Sequence, residues 1–417
     1  MIRQRFLARG AGALLLVAAV AACSETKDLV NPPPPVDPMF RSYVALGNSL
    51  TAGFQSGGIN DSTQKESYAV LLAAQMNTPF TIPALAMPGC PPPIDNFLTL
   101  HRVGGGTGST CALRSDAAGV RVINDVAVPG AWSGDPTSAS TYASNPLTTF
   151  ILGGKTQVER ALDADPTFAS VWIGNNDALP FALAGIIDPI VGPGGAVLSP
   201  GITAQDAFAS NFGQTMTALT AAKTLKGGVL IGAVDVANAP IFFSGRLLFV
   251  PQVIGAIDAV VGRPVTVDTS CTPTTDAVIN FQLVGLIRAG LQPDTIACHP
   301  LANHPPYSLG DTLVLDSSEV AQVTAAVAGY NATIAAEAQT LGWAYFDPNT
   351  VLAQLRQSGA IPPFPDLTNP AQPFGPYMSL DGIHPSGAGQ QLLENGIANA
   401  INVQYGTNIP VTPRRVH

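Results

Sequence analysis

Apolar runs and amphipathic stretches alternate along most of this 417-residue chain. The apolar runs expected to form strands lie at 43–47, 82–86, 122–130, 168–173, 228–234 and 344–346. The stretches expected to form helices lie at 67–76, 156–162, 204–223, 317–341 and 387–400. Runs that are apolar throughout predict strands buried on both faces, and their alternation with helices predicts a parallel sheet covered on each side. The predicted fold class is therefore α/β, with three layers.

The first apolar run, Tyr43 to Gly47, is followed two residues later by a serine, Ser49. A glycine permits a sharp turn, so Ser49 is expected at the carboxyl end of a strand, facing the start of a helix. In open α/β sheets this edge is where ligands bind. A Gly-x-Ser after a strand is also common as a plain turn with a helix cap. The local pattern leaves both interpretations open.

Residues 1–22 have the pattern of an export signal. Three arginines precede an apolar segment, 11–22, that is too short to span a bilayer as a stable helix. The segment ends Val-Ala-Ala before Cys23, which resembles the lipobox of bacterial lipoproteins. The resemblance implies lipidation at Cys23 and anchoring in the outer membrane of a cell envelope. The alternative is an ordinary secretory signal followed by an incidental cysteine.

The rest of the chain divides into a spacer and one large domain. Residues 23–40 contain four consecutive prolines and predict an extended linker, and 41–417 is long enough for a single domain with insertions. Loss of the three signal arginines would change the formal net charge from −9 to −12. An acidic surface is unfavourable for nucleic acid, which needs a basic footprint. We therefore expect no nucleic-acid partner, and contact with a membrane through Cys23.

Four cysteines remain after Cys23, namely Cys90, Cys111, Cys271 and Cys298. In an oxidising compartment an even number predicts two disulfides. Three pairings are possible, and proximity in sequence favours Cys90–Cys111 with Cys271–Cys298. The cysteine spacings do not fit a zinc site, and His299 and His304 lack a matching cluster of ligands. No metal or cofactor is expected.

Three further motifs follow the first one in order. They are Val128-Pro129-Gly130, Gly174-Asn175-Asn176-Asp177 and Asp381-Gly382-Ile383-His384. Together with Gly47-Asn48-Ser49-Leu50, this series resembles the SGNH (GDSL-type) hydrolase family over most of the chain. Asn48 stands where the family usually has Asp, and Pro88-Gly89 is a rival for the second motif. Gly130 is preferred because an asparagine and an apolar strand precede it.

The resemblance implies a flavodoxin-like α/β/α sandwich and a role for each matched residue. Ser49 would be the nucleophile, His384 the base, and Asp381 the group that holds the imidazole. The backbone N–H groups of Ser49 and Gly130 and the side-chain amide of Asn176 would form the oxyanion hole. Taken singly, the asparagine-rich and Asp-Gly motifs are also ordinary turns. Their order along the chain is what favours a site.

The family core is shorter than this chain, and the excess lies mainly at 178–200 and 241–315. Both insertions follow strands at the catalytic edge, so they are expected to form walls over the site. The apolar segment 241–261 is expected to be a buried cap helix, with an acyl-chain pocket or a lipid-contacting surface as the alternative.

These observations predict a lipid-anchored serine esterase or lipase that hydrolyses carboxylic esters through an acyl-enzyme. A carbohydrate O-acetyl esterase of the same fold is the first alternative, and a small acyl pocket would distinguish it. A non-catalytic envelope-binding lipoprotein is the second. The presence of Ser49, Asn176, Asp381 and His384 speaks against the second alternative.

Overall fold

The computed structural model describes residues 34–108, 111, 122–138, 146–191, 195, 197–299 and 313–411. Its strands are β1 (Tyr43–Gly47), β2 (Ile94–Asn96), β3 (His101–Arg102), β4 (Phe168–Trp172), β5 (Ile190–Val191), β6 (Val197–Ser199), β7 (Gly227–Ile231), β8 (Phe242–Ser244), β9 (Thr266–Val267), β10 (Val278–Asn280), β11 (Thr295–Ile296), β12 (Val314–Leu315) and β13 (Ala344–Phe346). Its α-helices are α1 (Ser49–Ala52), α2 (Asp61–Lys65), α3 (Tyr68–Gln75), α4 (Pro146–Leu152), α5 (Gln157–Leu162), α6 (Leu179–Ala184), α7 (Gln205–Thr220), α8 (Pro251–Val261), α9 (Gln282–Arg288), α10 (Ser317–Leu341), α11 (Pro348–Gln357) and α12 (Gly387–Tyr405).

The central sheet has the strand order β1-β4-β7-β13, and each neighbouring pair is parallel. The segment 124–128 runs along the free side of β1 and is bonded to it through Ala45 and Gly47, with one parallel bridge from Ala45 to Asp125. With this segment as second strand, the order 2-1-3-4-5 is that of flavodoxin-like folds. The predicted α/β class with a parallel sheet is confirmed.

Two apolar cores cover the two faces of the sheet, as the apolar runs predict. Alternate residues of β1 point to opposite sides, so Tyr43 joins one core and Val44 the other. The first core includes apolar side chains of α3 and α12, and the second includes those of α7 and α10. All residues of β1, β4 and β7 are buried. Burial on both faces is why these strands read as continuous apolar runs.

Two of the expected strands differ in the structure. The prediction of a strand at 82–86 is wrong. The N–H of Leu85 donates to the side chain of Gln64 at 2.8 Å instead of to a neighbouring strand. The run at 122–130 pairs with β1 over a shorter length than expected. Within it the side chain of Asp125 accepts from the N–H of Ala127 at 3.1 Å, which turns the backbone into a local loop.

The segment 241–315 builds a small sheet beside the carboxyl edge of the central sheet, with the strand order β12-β10-β8. It contacts that edge directly, because the N–H of Ile241 donates to the carbonyl of Gly382 at 2.8 Å. Half of the large apolar side chains of 241–261 are buried, while Phe249 and Val250 are 43% and 37% exposed. Within α8 the buried residues are Ile257 and Val261, so the expected cap helix is only partly buried. In the described part of the chain, no helix combines the length and apolarity that crossing a membrane would need.

The structure pairs Cys90 with Cys111 and Cys271 with Cys298, the arrangement that sequence proximity favours. The second disulfide joins the segments that follow β9 and β11, two strands that pair in parallel. Cys23 and His304 lie outside the described residues, so the expected lipidation of Cys23 stays a prediction.

Candidate active site

Ser49 is the first residue of α1, directly after the carboxyl end of β1. The side chain of Asn48 caps this helix by accepting from the N–H of Leu50 at 3.1 Å. A side chain at Gly47 would clash, since a Cβ there would lie 2.3 Å from Thr51 Oγ1 and 2.7 Å from the carbonyl oxygen of Trp172. Gly47 therefore allows α1 to start this close to β4. Ser49 is largely buried, with 8% of its surface exposed.

The structure brings His384 and Asp381 to Ser49 from the far end of the sequence. The Nε2 atom of His384 lies 2.9 Å from Ser49 Oγ, and its Nδ1 atom lies 2.8 Å from Asp381 Oδ2. The ring of Phe54 packs against the imidazole with a centroid separation of 4.9 Å. These three polar side chains form one hydrogen-bonded series of hydroxyl, imidazole and carboxylate.

Hydrogen bonds hold the Asp381 carboxylate in its charged form. Its Oδ1 accepts from the N–H groups of Ile383 and His384, at 2.9 and 2.8 Å, and from Ser379 Oγ at 3.0 Å. Its Oδ2 also accepts from the N–H of Gly57 at 2.7 Å. Burial alone would raise the pKa of Asp381, but the charge of the adjacent His384 and the hydrogen bonds from His384 and Ile383 lower it to about 2.

The two further oxyanion candidates lie on loops that contact each other. Val128 donates its N–H to the carbonyl of Gly47 at 3.1 Å, which holds the Gly130 loop beside the start of α1. Gly130 has a φ of +86°, a conformation that favours glycine. The side chain of Asn176 donates one amide hydrogen to the carbonyl of Ala131 at 2.9 Å. Its second amide hydrogen is available to another acceptor.

Asp177 joins these two loops, a role that sequence reasoning missed. Its Oδ2 accepts from the N–H of Ser133 at 2.9 Å, and its Oδ1 accepts from Ser133 Oγ at 2.6 Å. We call this pair of bonds the Asp177–Ser133 clamp. Burial raises the pKa of Asp177 to about 6, against the hydrogen bonds from Ser133 and Thr203, which lower it. The only sequence signal for this role is the place of Asp177 beside Asn176.

Two buried glutamines also position the site and were not singled out from the sequence. Gln157 bonds both backbone groups of Gly47, accepting from its N–H and donating to its carbonyl, each at 3.0 Å. Gln390 donates to the carbonyl of Leu50 and accepts from the N–H of Tyr68, each at 3.0 Å. Gln157 thus fixes the end of β1, and Gln390 fixes α1 to α3 and α12.

A buried polar cluster adjoins α1 on the face covered by α3 and α12. Thr51 Oγ1 lies 3.1 Å from the hydroxyl of Tyr68, and Ser170 Oγ lies 2.7 Å from the hydroxyl of Tyr43. Burial raises the pKa of the nearby Asp125 to about 8. Its carboxyl group is therefore protonated at neutral pH.

Comparison with known proteins gives weak similarity. No family model matches this chain, and no curated protein matches it. Among solved structures, it is similar to an α/β hydrolase enzyme from the metagenome of Lake Arreo, Spain, with 13% identity, coverage of 87% of this chain and 95% of that one, and a TM-score of 0.35. It is also similar to an extracellular lipase from Streptomyces rimosus, with 15% identity, coverage of 87% and 98%, and a TM-score of 0.35.

A variant of an acetyl xylan esterase from Geobacillus stearothermophilus is similar too, with 10% identity, coverage of 86% of this chain and 93% of that one, and a TM-score of 0.34. Similarity at this level carries no information on activity. The chemistry of this chain is therefore argued from its own residues.

Proposed function

We propose that this chain is a serine ester hydrolase of the SGNH type, which cleaves carboxylic esters through an acyl-enzyme. The observation that carries the proposal is the series Ser49 Oγ, His384 and Asp381, joined at 2.9 and 2.8 Å at the carboxyl edge of a parallel sheet. A hydroxyl, a base and a carboxylate in this order are what acyl transfer from an ester requires.

In the first half-reaction Ser49 Oγ adds to the ester carbonyl carbon as His384 Nε2 takes the hydroxyl proton. The π electrons of the carbonyl move onto its oxygen, and their return breaks the bond to the leaving alkoxide. The alkoxide receives the proton from His384 and departs as the alcohol. Water then repeats both steps on the acyl-enzyme and releases the carboxylic acid. Asp381 remains ionised throughout and holds Nδ1–H of the imidazole.

The negative carbonyl oxygen of each intermediate would accept from the N–H groups of Ser49 and Gly130 and from the amide of Asn176. The bond from Asn176 to the Ala131 carbonyl supports this role, since it orients the amide group next to Gly130. Removal of one such donor typically lowers kcat by roughly 10²- to 10³-fold.

The test is hydrolysis of nitrophenyl esters from acetyl to palmitoyl by the purified chain, beside Ser49→Ala, with labelling by a fluorophosphonate. Hydrolysis and labelling that both disappear in Ser49→Ala are expected. Activity confined to acetyl esters would favour the carbohydrate O-acetyl esterase. Equal rates for the two proteins would contradict the role of Ser49.

Export and lipid anchoring at Cys23 are part of the same proposal, and the lipobox-like sequence supports them. Cells fed radiolabelled palmitate should incorporate the label into the chain, and Cys23→Ser should abolish incorporation and shift the protein from the membrane to the soluble fraction. Labelling that persists in Cys23→Ser would contradict the anchor.

A further inference from the structure

The segment 49–57 reaches every member of the series of hydroxyl, imidazole and carboxylate. The proposed nucleophile is the first residue of this segment. The ring of Phe54 packs against the imidazole of His384 with a centroid separation of 4.9 Å. Three residues later, the N–H of Gly57 donates to Asp381 Oδ2 at 2.7 Å. The position of this one short segment therefore affects how the three reactive groups are placed relative to one another.

A tight turn ends this segment. The N–H of Gln55 donates to the carbonyl of Gly58 at 2.8 Å, and the N–H of Gly58 donates back at 3.0 Å. The two central residues, Ser56 and Gly57, have φ angles of +52° and +64°. Positive φ at both central positions is the pattern of a type I′ turn, which suits glycine but is uncommon for serine. The conformation of Ser56 indicates that contacts outside the turn hold it.

Ser379 provides such a contact, and the same hydroxyl also bonds the carboxylate. The N–H of Ser56 donates to Ser379 Oγ at 2.8 Å, and Ser379 Oγ donates to Asp381 Oδ1 at 3.0 Å. In the opposite direction, the N–H of Leu380 donates to Ser56 Oγ at 3.1 Å. Ser379 is only 6% exposed, so little water can replace its hydroxyl. The hydroxyl of Ser379 therefore links the turn to the carboxylate that orients the imidazole.

We propose that Ser379 is a positioning residue, whose hydroxyl joins the segment 49–57 to Asp381 and so sets the orientation of the imidazole toward Ser49. The inference rests on the esterase function proposed above. A hydroxyl can accept one hydrogen bond while it donates another, so Ser379 serves the N–H of the turn and the carboxylate together. Without this hydroxyl, Oδ1 loses the donor that ties it to the turn, and the N–H donors of its own loop remain.

The chain offers a matched pair of variants, because each of two serines places one hydroxyl between the same two segments. Ser379→Ala removes the hydroxyl that bonds Asp381, whereas Ser56→Ala removes a hydroxyl that bonds the backbone of Leu380. Both variants should unfold at a lower temperature than the wild type, by a similar amount. Ser379→Ala should lower kcat by about tenfold and change KM by less than about threefold. This loss of kcat should be at least about threefold larger than the loss in Ser56→Ala.

A spectroscopic measurement tests the same role without turnover. The proton between His384 Nδ1 and Asp381 Oδ2, atoms 2.8 Å apart, should give a ¹H NMR signal far downfield. Loss of this signal in His384→Gln identifies it. The signal should shift or broaden in Ser379→Ala and stay in place in Ser56→Ala. A merely structural role of Ser379 would lower the unfolding temperature and leave the signal where it is in the wild type.

Equal losses of kcat in the two serine variants would overturn the inference, and so would a Ser379→Ala protein that keeps the wild-type rate. The two proposals fail separately. If the wild-type chain hydrolyses no ester but the NMR signal responds to Ser379→Ala alone, the esterase function is wrong and the positioning role of Ser379 stands. If hydrolysis depends on Ser49 yet does not respond to Ser379→Ala, the positioning role is wrong and the esterase function stands.

Discussion

The Asp177–Ser133 clamp gives the sharpest test of how the proposed oxyanion hole is held. Asp177→Ala removes both acceptors of Ser133, whose N–H and hydroxyl are otherwise bonded at 2.9 and 2.6 Å. Asp177→Asn is the matched control, because its amide oxygen can still accept from the N–H and its NH₂ group can donate to the hydroxyl. The two variants separate loss of the clamp from loss of the charge.

The magnitude follows from the bonds lost and from what they position. Each hydrogen bond to a charged group contributes about 1.5–3 kcal/mol, so the two bonds together can hold the loop by roughly 3–6 kcal/mol before the cost of burying the carboxylate. The clamp joins the loops of Gly130 and Asn176, and displacement of one oxyanion donor lowers kcat by roughly 10²- to 10³-fold. The bond from Asn176 to Ala131 remains in the variant. We therefore expect about 100-fold lower kcat in Asp177→Ala, with KM changed by less than about threefold.

The assay is steady-state hydrolysis of the best nitrophenyl ester, together with thermal unfolding and fluorophosphonate labelling of each variant. Asp177→Asn should retain kcat within about tenfold of the wild type, since its side chain can keep the loop in place. The effect of the clamp on kcat would be refuted if Asp177→Ala unfolds at a lower temperature yet hydrolyses the ester at the wild-type rate. That result would make the clamp a structural contact alone.

Three other predictions concern charge and the oxyanion hole. Burial raises the pKa of Asp125 to about 8, so the free energy of unfolding should decline as pH rises from about 4 to about 8. Urea unfolding of Asp125→Asn should show a smaller dependence of this free energy on pH. An unchanged dependence would contradict the raised pKa of Asp125. Asp381, whose pKa is lowered to about 2, should have the opposite effect on the free energy of unfolding. Its stabilising contribution is present above about pH 4 and is lost as pH falls toward 2. Acid unfolding of Asp381→Asn should not show this loss. Asn176→Ala should lower kcat by roughly 10²- to 10³-fold and leave KM nearly unchanged, and an effect on KM alone would exclude an oxyanion role.

The sequence predicts the central sheet well because its strands are buried on both faces. The observed bounds match the expected ones fully for α10 and β13. They differ by a few residues at most for β4 and β7. The run at 122–130 is harder to predict, since its pairing with β1 depends on Asn124, whose side chain donates to the carbonyl of Tyr43 at 2.8 Å. An apolar run does not reveal a side chain that substitutes for a ladder bond.

Ser49, Asp381 and His384 can be singled out from the sequence because each sits in a short motif with a characteristic spacing, and their roles stay predictions. The residues that hold them in position cannot be predicted in this way. Gln157 and Gln390 bond the backbone of residues more than one hundred positions away in sequence, and no local pattern marks them. A cleft lined by residues of α11 and α12 is likewise missed, because its walls come from five separate parts of the chain. A pocket of this kind exists only once the helices have packed.

The hydrogen bond between Ser49 and His384 joins positions 335 residues apart. Contacts between distant residues form late, since closing a long loop costs entropy before any contact repays it. The proposed nucleophile is thus made early in synthesis and the proposed base near the end. By the proposed mechanism, a partly made chain that still lacks His384 could not yet attack the ester bonds of the cell that makes it. Activity would therefore begin only when folding is nearly complete, and its return after unfolding would time the last step of refolding rather than the first.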